Sequence, residues 1–239
     1  TGLTQAYMQW RGLSTPSVFT IHNLAYQGNI DMSLRRQLGI PLEACSPERM
    51  EFYGALSLLK AGIAYANHVT TVSATYAREI TTPAFGCGME GFLAMKARQG
   101  LLTGLLNGID DSWEPQHCSH LISQFGPHEW AGKQANAAHV RELFGLEQDE
   151  GPLFAVVSRL VHQKGIDLTI EVAETIVQRG GQLAILGRGD SHIEDEVRRL
   201  TERFPGRVGA HIGFNETDAR RLFAGSDFLL MPSRYEPCG

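Results

Sequence analysis

The stretch FAVVSRLVHQKGI, residues 154–166, joins an apolar β-branched run to a turn that carries two cations and a glycine. FAVV is typical of a buried parallel strand, and the apolar residues of 165–180 repeat on one helical face. Arg159 and Lys164 therefore lie at the carboxyl end of a strand, the edge of an α/β sheet where ligands bind. A helix amino terminus at that edge would suit a diphosphate. Taken alone, the pattern also fits a solvated turn with two surface cations.

The same alternation of strand and helix extends along the chain. Strands are predicted at FAVVS, QLAILG, VGAHIG and FLLMPS, with helices between them, which indicates parallel strands in a doubly wound sheet. In the first half, strands at SVFTIH, HVTTVS and LLTGLLNGID alternate with helices over residues 47–66, 74–80 and 88–100. The pattern loosens between Asp110 and Gly151, so we predict two domains, residues 1–110 and 111–239.

Composition limits the class of protein. The 239 residues are 43% hydrophobic and 20% charged, as in soluble globular proteins, and the formal net charge of −5 argues against a nucleic-acid partner. The four cysteines form no CxxC pair, which disfavours a zinc site or a disulfide framework and indicates a reducing compartment, the cytoplasm. No apolar run approaches the roughly 18 residues that a membrane span needs, so no membrane contact is expected.

The turn LGRGD, residues 186–190, contains a GxG pair. The third glycine of a dinucleotide-binding GxGxxG would fall on His192, so the turn is not predicted to bind NAD. Exposed N–H groups before the following helix would still suit a nucleotide or its phosphate. A plain tight turn explains the two glycines equally well.

Six segments resemble, in order, motifs of the bacterial glycogen synthase family: IHNLAYQG, HVTTVSATYAREI, GLLNGID, SRLVHQKGIDL, LGRGD and PSRYEPCG. The resemblance implies an α/β fold with two Rossmann-like domains facing a cleft, the B-type glycosyltransferase fold, both truncated here. Residues 1–110 would be the carboxyl part of the amino-terminal, acceptor-side domain. Residues 111–239 would be the amino-terminal part of the nucleotide-sugar-binding domain.

The activity that the resemblance implies is retaining transfer of glucose from ADP-glucose to the non-reducing end of an α-1,4-glucan. The partners are then a nucleotide sugar and a glucan, and neither a metal nor another cofactor is required. Two alternatives stay open: a related synthase that uses UDP-glucose, and a non-catalytic module that binds nucleotide sugar or glucan. The sequence gives no indication of oligomeric state.

The resemblance also assigns catalytic roles. Arg159 and Lys164 would hold the phosphates and neutralise the charge that grows on the departing ADP. Glu236 would accept hydroxyl hydrogen bonds beside the donor glucose, although an acidic residue in this position could also cap a helix. His22 would contact the glucose and its oxocarbenium-like centre, and a buried structural histidine is the competing interpretation.

Further positions match the family's substrate contacts. Asn107 would reach the sugar, although Asn-Gly is also a common turn, and Phe214 stands where the family often has a tyrosine near the adenine. The N–H groups of Cys238 and Gly239 would lie close to sugar and phosphate. The complete predicted substrate-binding set is Asn23, Tyr26, Gln27, Asn107, Gln163, Gly187, Phe214, Cys238 and Gly239.

Both ends of the sequence suggest a fragment. It begins at Thr1 without Met, the family's amino-terminal glycine-rich lysine loop is not found before it, and it ends directly after SRYEPCG. Missing strands would leave sheet edges and apolar surface exposed. We therefore expect residues 1–239 alone to fold poorly and to show no turnover.

Overall fold

The structure is a computed structural model that describes residues 2–238. These residues form two compact units, 2–108 with 236–238, and 109–235. Both units have the predicted α/β organisation with parallel sheets. Residues 109–110 and 236–238 group differently from the predicted division at 110/111. Across residues 2–238, no helix has the length and apolar content that crossing a lipid bilayer requires.

The first unit is built on a parallel three-stranded sheet in the order β1 (Val18–Ile21), β5 (His68–Thr71) and β6 (Leu102–Gly104). Its core includes Ile21, Ile63, Val69 and Leu93, all fully buried. The elements are α1 (Thr4–Trp10), β1 (Val18–Ile21), β2 (Asn29–Ile30), β3 (Glu51–Phe52), β4 (Ala55–Ser57), α2 (Leu58–Tyr65), β5 (His68–Thr71), α3 (Ala74–Glu79), α4 (Glu90–Arg98) and β6 (Leu102–Gly104), with 3-10 turns at Met32–Arg35 and Leu42–Ala44.

The helix predicted over residues 47–66 is wrong in its first half. β3 and β4 form an antiparallel hairpin there, and β2 completes a small second sheet in the order β2-β4-β3. The hairpin turn contains Tyr53 and Gly54 with φ of 48° and 83°, a conformation that no helix can contain. The helix starts only after Ser57, whose side chain accepts a hydrogen bond from the N–H of Lys60.

The second unit contains a parallel four-stranded sheet in the order β10 (Phe228–Leu229), β7 (Leu153–Val157), β8 (Gln182–Gly187) and β9 (Val208–Ile212). The four predicted strands and the helices between them are confirmed, although β10 is only two residues long. The elements are a 3-10 turn at Asp111–Trp113, α5 (Trp130–Leu143), β7 (Leu153–Val157), a 3-10 turn at His162–Lys164, α6 (Ile166–Gln178), β8 (Gln182–Gly187), α7 (Ser191–Arg203), β9 (Val208–Ile212), α8 (Glu216–Gly225) and β10 (Phe228–Leu229).

The strand order places a topological switch point at β7. After β7 the chain moves outward to β8 and β9, and then returns to place β10 on the other side of β7. The two neighbours of β7 are thus reached in opposite directions from it, and the carboxyl ends of β7 and β10 border the place where open α/β sheets bind ligands. The predicted apolar face of α6 packs on this sheet, with Ile166 and Ala173 fully buried.

Candidate functional site

The turn after β7 is the centre of the site in the second unit. Between β7 and α6 the chain makes the 3-10 turn His162–Lys164 and then places Gly165 at φ 66°, ψ 31°, in the left-handed region. A Cβ on Gly165 would lie 2.1 Å from the carbonyl oxygen of Pro232, in the segment after β10. Glycine is needed here for both reasons, and it lets the two segments at the switch point touch.

The two predicted cations lie on this turn. Arg159 is exposed and donates from Nη2 to Oε1 of Gln163 at 3.3 Å. Gln163 in turn donates from Nε2 to the carbonyl oxygen of Tyr235 at 3.2 Å. Lys164 follows directly and is half-buried. Gln163 thus connects the cationic turn after β7 with the segment after β10, and both cations lie at the carboxyl edge of the sheet, as the strand pattern predicts.

A pocket of about 310 Å³ opens beside this turn, at the carboxyl ends of β7, β8 and β9. It contains three of the predicted residues, Arg159, Gly187 and Phe214. Phe214 is 86% exposed, so a face of its ring is open to a planar ligand. The lining consists of Val157, Ser158, Arg159, Leu186, Gly187, Arg188, Gly213 and Phe214.

The glycines of LGRGD allow the loops after β7 and β8 to approach each other. A Cβ on Gly187 would lie 2.0 Å from the carbonyl oxygen of Ser158, and one on Gly189 would lie 2.1 Å from that of Leu160. The expected free N–H groups are not found at Gly189 and Asp190. Gly189 donates to Oε1 of Glu194 at 2.9 Å, and Asp190 donates to the carbonyl oxygen of Leu160, also at 2.9 Å. These two amides are already used within the protein.

In the first unit, the loop after β1 carries His22. The side chain is exposed, so the interpretation of His22 as a buried structural histidine is wrong. Asn23 accepts a hydrogen bond from the N–H of Ala25 at 3.0 Å, and Leu24 donates its N–H to the hydroxyl of Tyr76 at 3.0 Å. Tyr76 is buried, although sequence reasoning gave it no role. It fixes the backbone two residues after His22.

Three other predicted residues of this unit differ in their surroundings. Tyr26 is 61% exposed. Gln27 donates from Nε2 to the carbonyl oxygen of Cys87 at 2.9 Å, and its own carbonyl accepts from Oγ of Ser57 at 3.0 Å, so it is part of the scaffold. Asn107 is exposed in the segment after β6, which ends at Gly104, earlier than predicted.

Residues 236–238 belong to the same unit. Ser73, two residues after the end of β5, donates from Oγ to the carbonyl oxygen of Pro237 at 2.7 Å, and Cys238 packs against the core around Ile21. Because β1 and β5 are parallel neighbours, their carboxyl ends share one edge. The segment that contains Glu236 is therefore held at the sheet edge where His22 follows β1. Gly239 lies outside the described residues.

Two residues that sequence reasoning missed form an ion pair in the second unit. Arg234 contacts the carboxylate of Asp167 with both terminal nitrogens, Nη1 to Oδ1 at 2.8 Å and Nη2 to Oδ2 at 2.6 Å. The hydrogen bond from Arg234 lowers the pKa of Asp167 to about 2 and raises that of Arg234. Both residues are visible in the sequence, one in SRYEPCG and one in the first turn of a predicted helix. Their separation of 67 positions hides the contact.

The chemistry available at the β7 turn is anion binding. Two cations lie on this turn at the carboxyl edge of a parallel sheet, and one of them, Arg159, lines a pocket together with the exposed ring of Phe214. This arrangement is suited to a nucleotide with its phosphates. Within residues 2–238, no three His, Cys, Asp or Glu side chains come together as a metal ion would require. The predicted residues of the first unit, His22 and Glu236 among them, are polar groups suited to a sugar.

Comparison with known proteins finds glycosyltransferases, among them glycogen and starch synthases. Residues 1–95 match the family described as starch synthase catalytic domain, and residues 151–239 match glycosyl transferases group 1. The chain is 67% identical to a glycogen synthase of Pseudomonas syringae pv. tomato, over 100% of this chain and 49% of the relative. It is 61% identical to a glycogen synthase of Pseudomonas aeruginosa, over 99% of this chain and 46% of the relative. The chain thus spans about half the length of the curated relatives it matches.

Two solved structures are similar to all or nearly all of this chain. The catalytic domain of starch synthase IV from Arabidopsis thaliana, bound to ADP and acarbose, has a TM-score of 0.89 at 32% identity and covers 100% of this chain and 50% of its own. A glycosyltransferase from Rickettsia africae has a TM-score of 0.52 at 14% identity over 95% of this chain and 48% of its own, a likeness of fold alone. These structures confirm the predicted fold class, that of the B-type glycosyltransferases.

Proposed function

Because the chain belongs to the bacterial glycogen synthase family, we propose that the full-length protein transfers glucose from ADP-glucose to the non-reducing end of an α-1,4-glucan, with retention of configuration. The observation that carries the proposal is the position of Arg159 and Lys164 on the glycine-closed turn after β7, next to a pocket with an exposed aromatic ring. The relative from Arabidopsis thaliana, which is described as bound to ADP and acarbose, supports this choice of ligands.

The donor would lie along the carboxyl edge of the second unit. Its base stacks on the ring of Phe214, and its diphosphate faces the turn that carries Arg159 and Lys164. This assignment is supported by the pocket that contains both Phe214 and Arg159. An arginine offers a planar fork of donors and a lysine a compact point charge, so the pair can contact different oxygens of one diphosphate.

The chemical role of the two cations follows from the bond that breaks. As the bond between the anomeric carbon and the diphosphate oxygen lengthens, negative charge grows on the departing ADP. Fixed cations stabilise that charge more in the transition state than in bound substrate, which raises kcat. Arg159 and Lys164 would do this without a metal ion, so we propose a metal-independent reaction.

The residues proposed to bind the glucose all belong to the first unit. The proposed roles are for Glu236 to accept hydrogen bonds from sugar hydroxyls, for His22 to lie at the oxocarbenium-like centre, and for Asn107 to contact the sugar. Exposure of His22 and the anchoring of its loop by Tyr76 support these roles.

A reducing compartment, the cytoplasm, would suit the four cysteines, none of which forms a disulfide in the described residues.

Side-by-side donor kinetics test the proposal. The full-length protein is assayed with ADP-glucose and with UDP-glucose, using an α-1,4-glucan primer and both with and without a chelator. We expect a higher kcat/KM with ADP-glucose and no loss with the chelator. Equal or reversed donor preference would favour the UDP-glucose-dependent alternative, and loss of activity with the chelator would contradict a metal-independent reaction. Binding of ADP without any transfer would favour the non-catalytic module.

A further inference from the structure

Arg234 makes three separate connections to the turn that carries Lys164. Its guanidinium holds the carboxylate of Asp167 with two hydrogen bonds, and Nη1 also donates to the carbonyl oxygen of His162 at 2.8 Å. Its backbone N–H donates to the carbonyl oxygen of Gln163 at 2.9 Å. One residue of the segment after β10 therefore binds the turn on both sides of Lys164, at 162–163 and at 167.

The ion pair between Arg234 and Asp167 is not expected to add much to the stability of the folded protein. The side chains of Arg234 and Asp167 are 35% and 46% exposed, and ion pairs with such exposure contribute little to the free energy of unfolding. Arg203 and Glu174 form a comparable exposed pair, also at 2.6 Å, between α7 and α6. That pair joins only two helices, whereas the pair of Arg234 joins the two segments that meet at the switch point.

The guanidinium of Arg234 is already occupied by the protein. Nη1 serves Asp167 and His162, and Nη2 serves Asp167. A guanidinium so engaged would have to give up these bonds to contact a ligand with its terminal nitrogens. The geometry instead allows Arg234 to act through the turn, because its guanidinium donates to the carbonyl oxygen of His162 and its backbone N–H donates to that of Gln163, the two residues before Lys164.

We propose that Arg234, together with Asp167, is a positioning residue that fixes the backbone of Lys164 so that its ammonium group meets the donor's diphosphate. The inference rests on the proposed function, since it assigns a purpose to the place of Lys164. Gly165 and Pro232 bring the two segments into contact, and Arg234 then sets their relative position. Without the side chain of Arg234, the backbone bond to Gln163 remains, but the turn loses the bonds at His162 and Asp167, on both sides of Lys164.

A double-mutant cycle in the full-length protein tests this directly. Arg234→Ala is made in the wild-type and in the Lys164→Ala background, and kcat, KM for ADP-glucose and the dissociation constant of ADP are measured. In the wild-type background we expect kcat to fall about 10- to 100-fold, the size of effect that misplacement of a charge by about 1 Å produces. In the Lys164→Ala background, the same substitution should cost less than about 3-fold, because its target is gone.

Three further variants separate positioning from a general structural role. Arg203→Ala, which removes the comparable pair elsewhere in this unit, should leave kcat unchanged. Arg234→Lys should recover only part of kcat, because one ammonium cannot hold two carboxylate oxygens and a carbonyl together. Asp167→Asn should lower kcat in the same direction as Arg234→Ala, since it weakens the same pair.

Each remaining outcome has a defined meaning. If Arg234→Ala lowers kcat equally in both backgrounds, its effect is independent of Lys164 and the inference is wrong, although the proposed function stands. If kcat is unchanged in the wild-type background, the inference is likewise wrong. If the wild-type protein neither binds ADP nor transfers glucose, the proposed function fails, and the inference fails with it.

Discussion

Ser73 donates a hydrogen bond from Oγ to the carbonyl oxygen of Pro237 at 2.7 Å, across 164 positions of sequence. Oγ of Ser73 also accepts a hydrogen bond from the N–H of Tyr76 at 3.0 Å and so caps the amino terminus of α3. One hydroxyl group therefore fixes both the start of a helix and the residue after Glu236. The carboxyl edge of the first sheet is in this way connected with the part of the chain that the family resemblance assigns to the donor sugar.

Replacing Ser73 by Ala should destabilise the full-length protein and lower kcat. Loss of a cap and of the partner of a carbonyl in a buried residue should together cost about 1–3 kcal/mol. Denaturant unfolding of the full-length protein measures this, and Ser73→Thr, which keeps a hydroxyl, is the matched control with a smaller loss. An alanine variant as stable as the wild type would show that the bond to Pro237 contributes nothing.

Replacing Gly165 by Ala should disturb the turn more than the same change at Gly180. Both glycines have positive φ, 66° and 82°, so both variants carry the left-handed cost of about 1–2 kcal/mol. Only at Gly165 does the new Cβ meet another segment, the carbonyl oxygen of Pro232, whereas at Gly180 nothing lies within 4 Å. Thermal unfolding and kcat are compared for the two variants. We expect only Gly165→Ala to lose activity, and equal effects would contradict a packed switch point.

Removing the ring of Phe214 should weaken donor binding more than it slows the reaction. Stacking of a base on an aromatic side chain contributes about 1–3 kcal/mol, so Phe214→Ala should raise KM for ADP-glucose by roughly 10-fold or more with kcat little changed. Trp130→Ala removes another exposed ring of this unit and serves as the control. A fall in kcat with unchanged KM would assign Phe214 to the reacting centre instead of to the base.

Sequence reasoning succeeded where a signal is local. The apolar run of β7 and the helical spacing of Ile166, Ile170 and Ala173 identify the βα unit, and the alternation of such units gives two parallel sheets. It failed for the hairpin before α2, because Leu56 and Leu59 fit helical spacing and nothing in that spacing reveals the left-handed turn at Tyr53 and Gly54.

For the candidate site, the sequence indicates where residues lie along the sheet edge but not which residues they contact. The cations of the β7 turn could be recognised from their place after a strand. The bond between Asp167 and Arg234, which holds this turn, could not be recognised, because the two residues are far apart in sequence. The same is true of the bond between Ser73 and Pro237 in the first unit. The role of Gly187 also differs from what a GxG pattern suggests, since the glycine admits the carbonyl of Ser158.

The stability contributed by the pair of Asp167 and Arg234 should depend on pH in a defined direction. Arg234 holds the pKa of Asp167 at about 2, below its ordinary value of 3.8. A carboxyl group whose pKa is lowered by folding stabilises the folded state above the unfolded pKa, and this contribution disappears as pH falls from 3.8 towards 2. Because both side chains are partly exposed to solvent, the effect should be small.

Denaturant unfolding of the wild type and of Asp167→Asn, compared at pH 6 and at successively lower pH, checks this dependence. The advantage of the wild type should be constant above about pH 4 and should shrink below it. An advantage that persists unchanged at pH 2 would mean that the carboxylate is not what the arginine stabilises.

The measurement that tests the central claim most directly is kcat of Lys164→Ala in the full-length protein with saturating ADP-glucose and an α-1,4-glucan primer. We expect a fall of about 100- to 1,000-fold, as for loss of one preorganised group that stabilises developing charge, with Arg159→Ala in the same range. Lys164→Arg should restore only part, since a guanidinium places its donors differently. The melting temperature should stay close to that of the wild type, because neither side chain is buried in the core. Unchanged kcat together with a lowered melting temperature would mean that the two cations are structural, and would contradict the proposed mechanism.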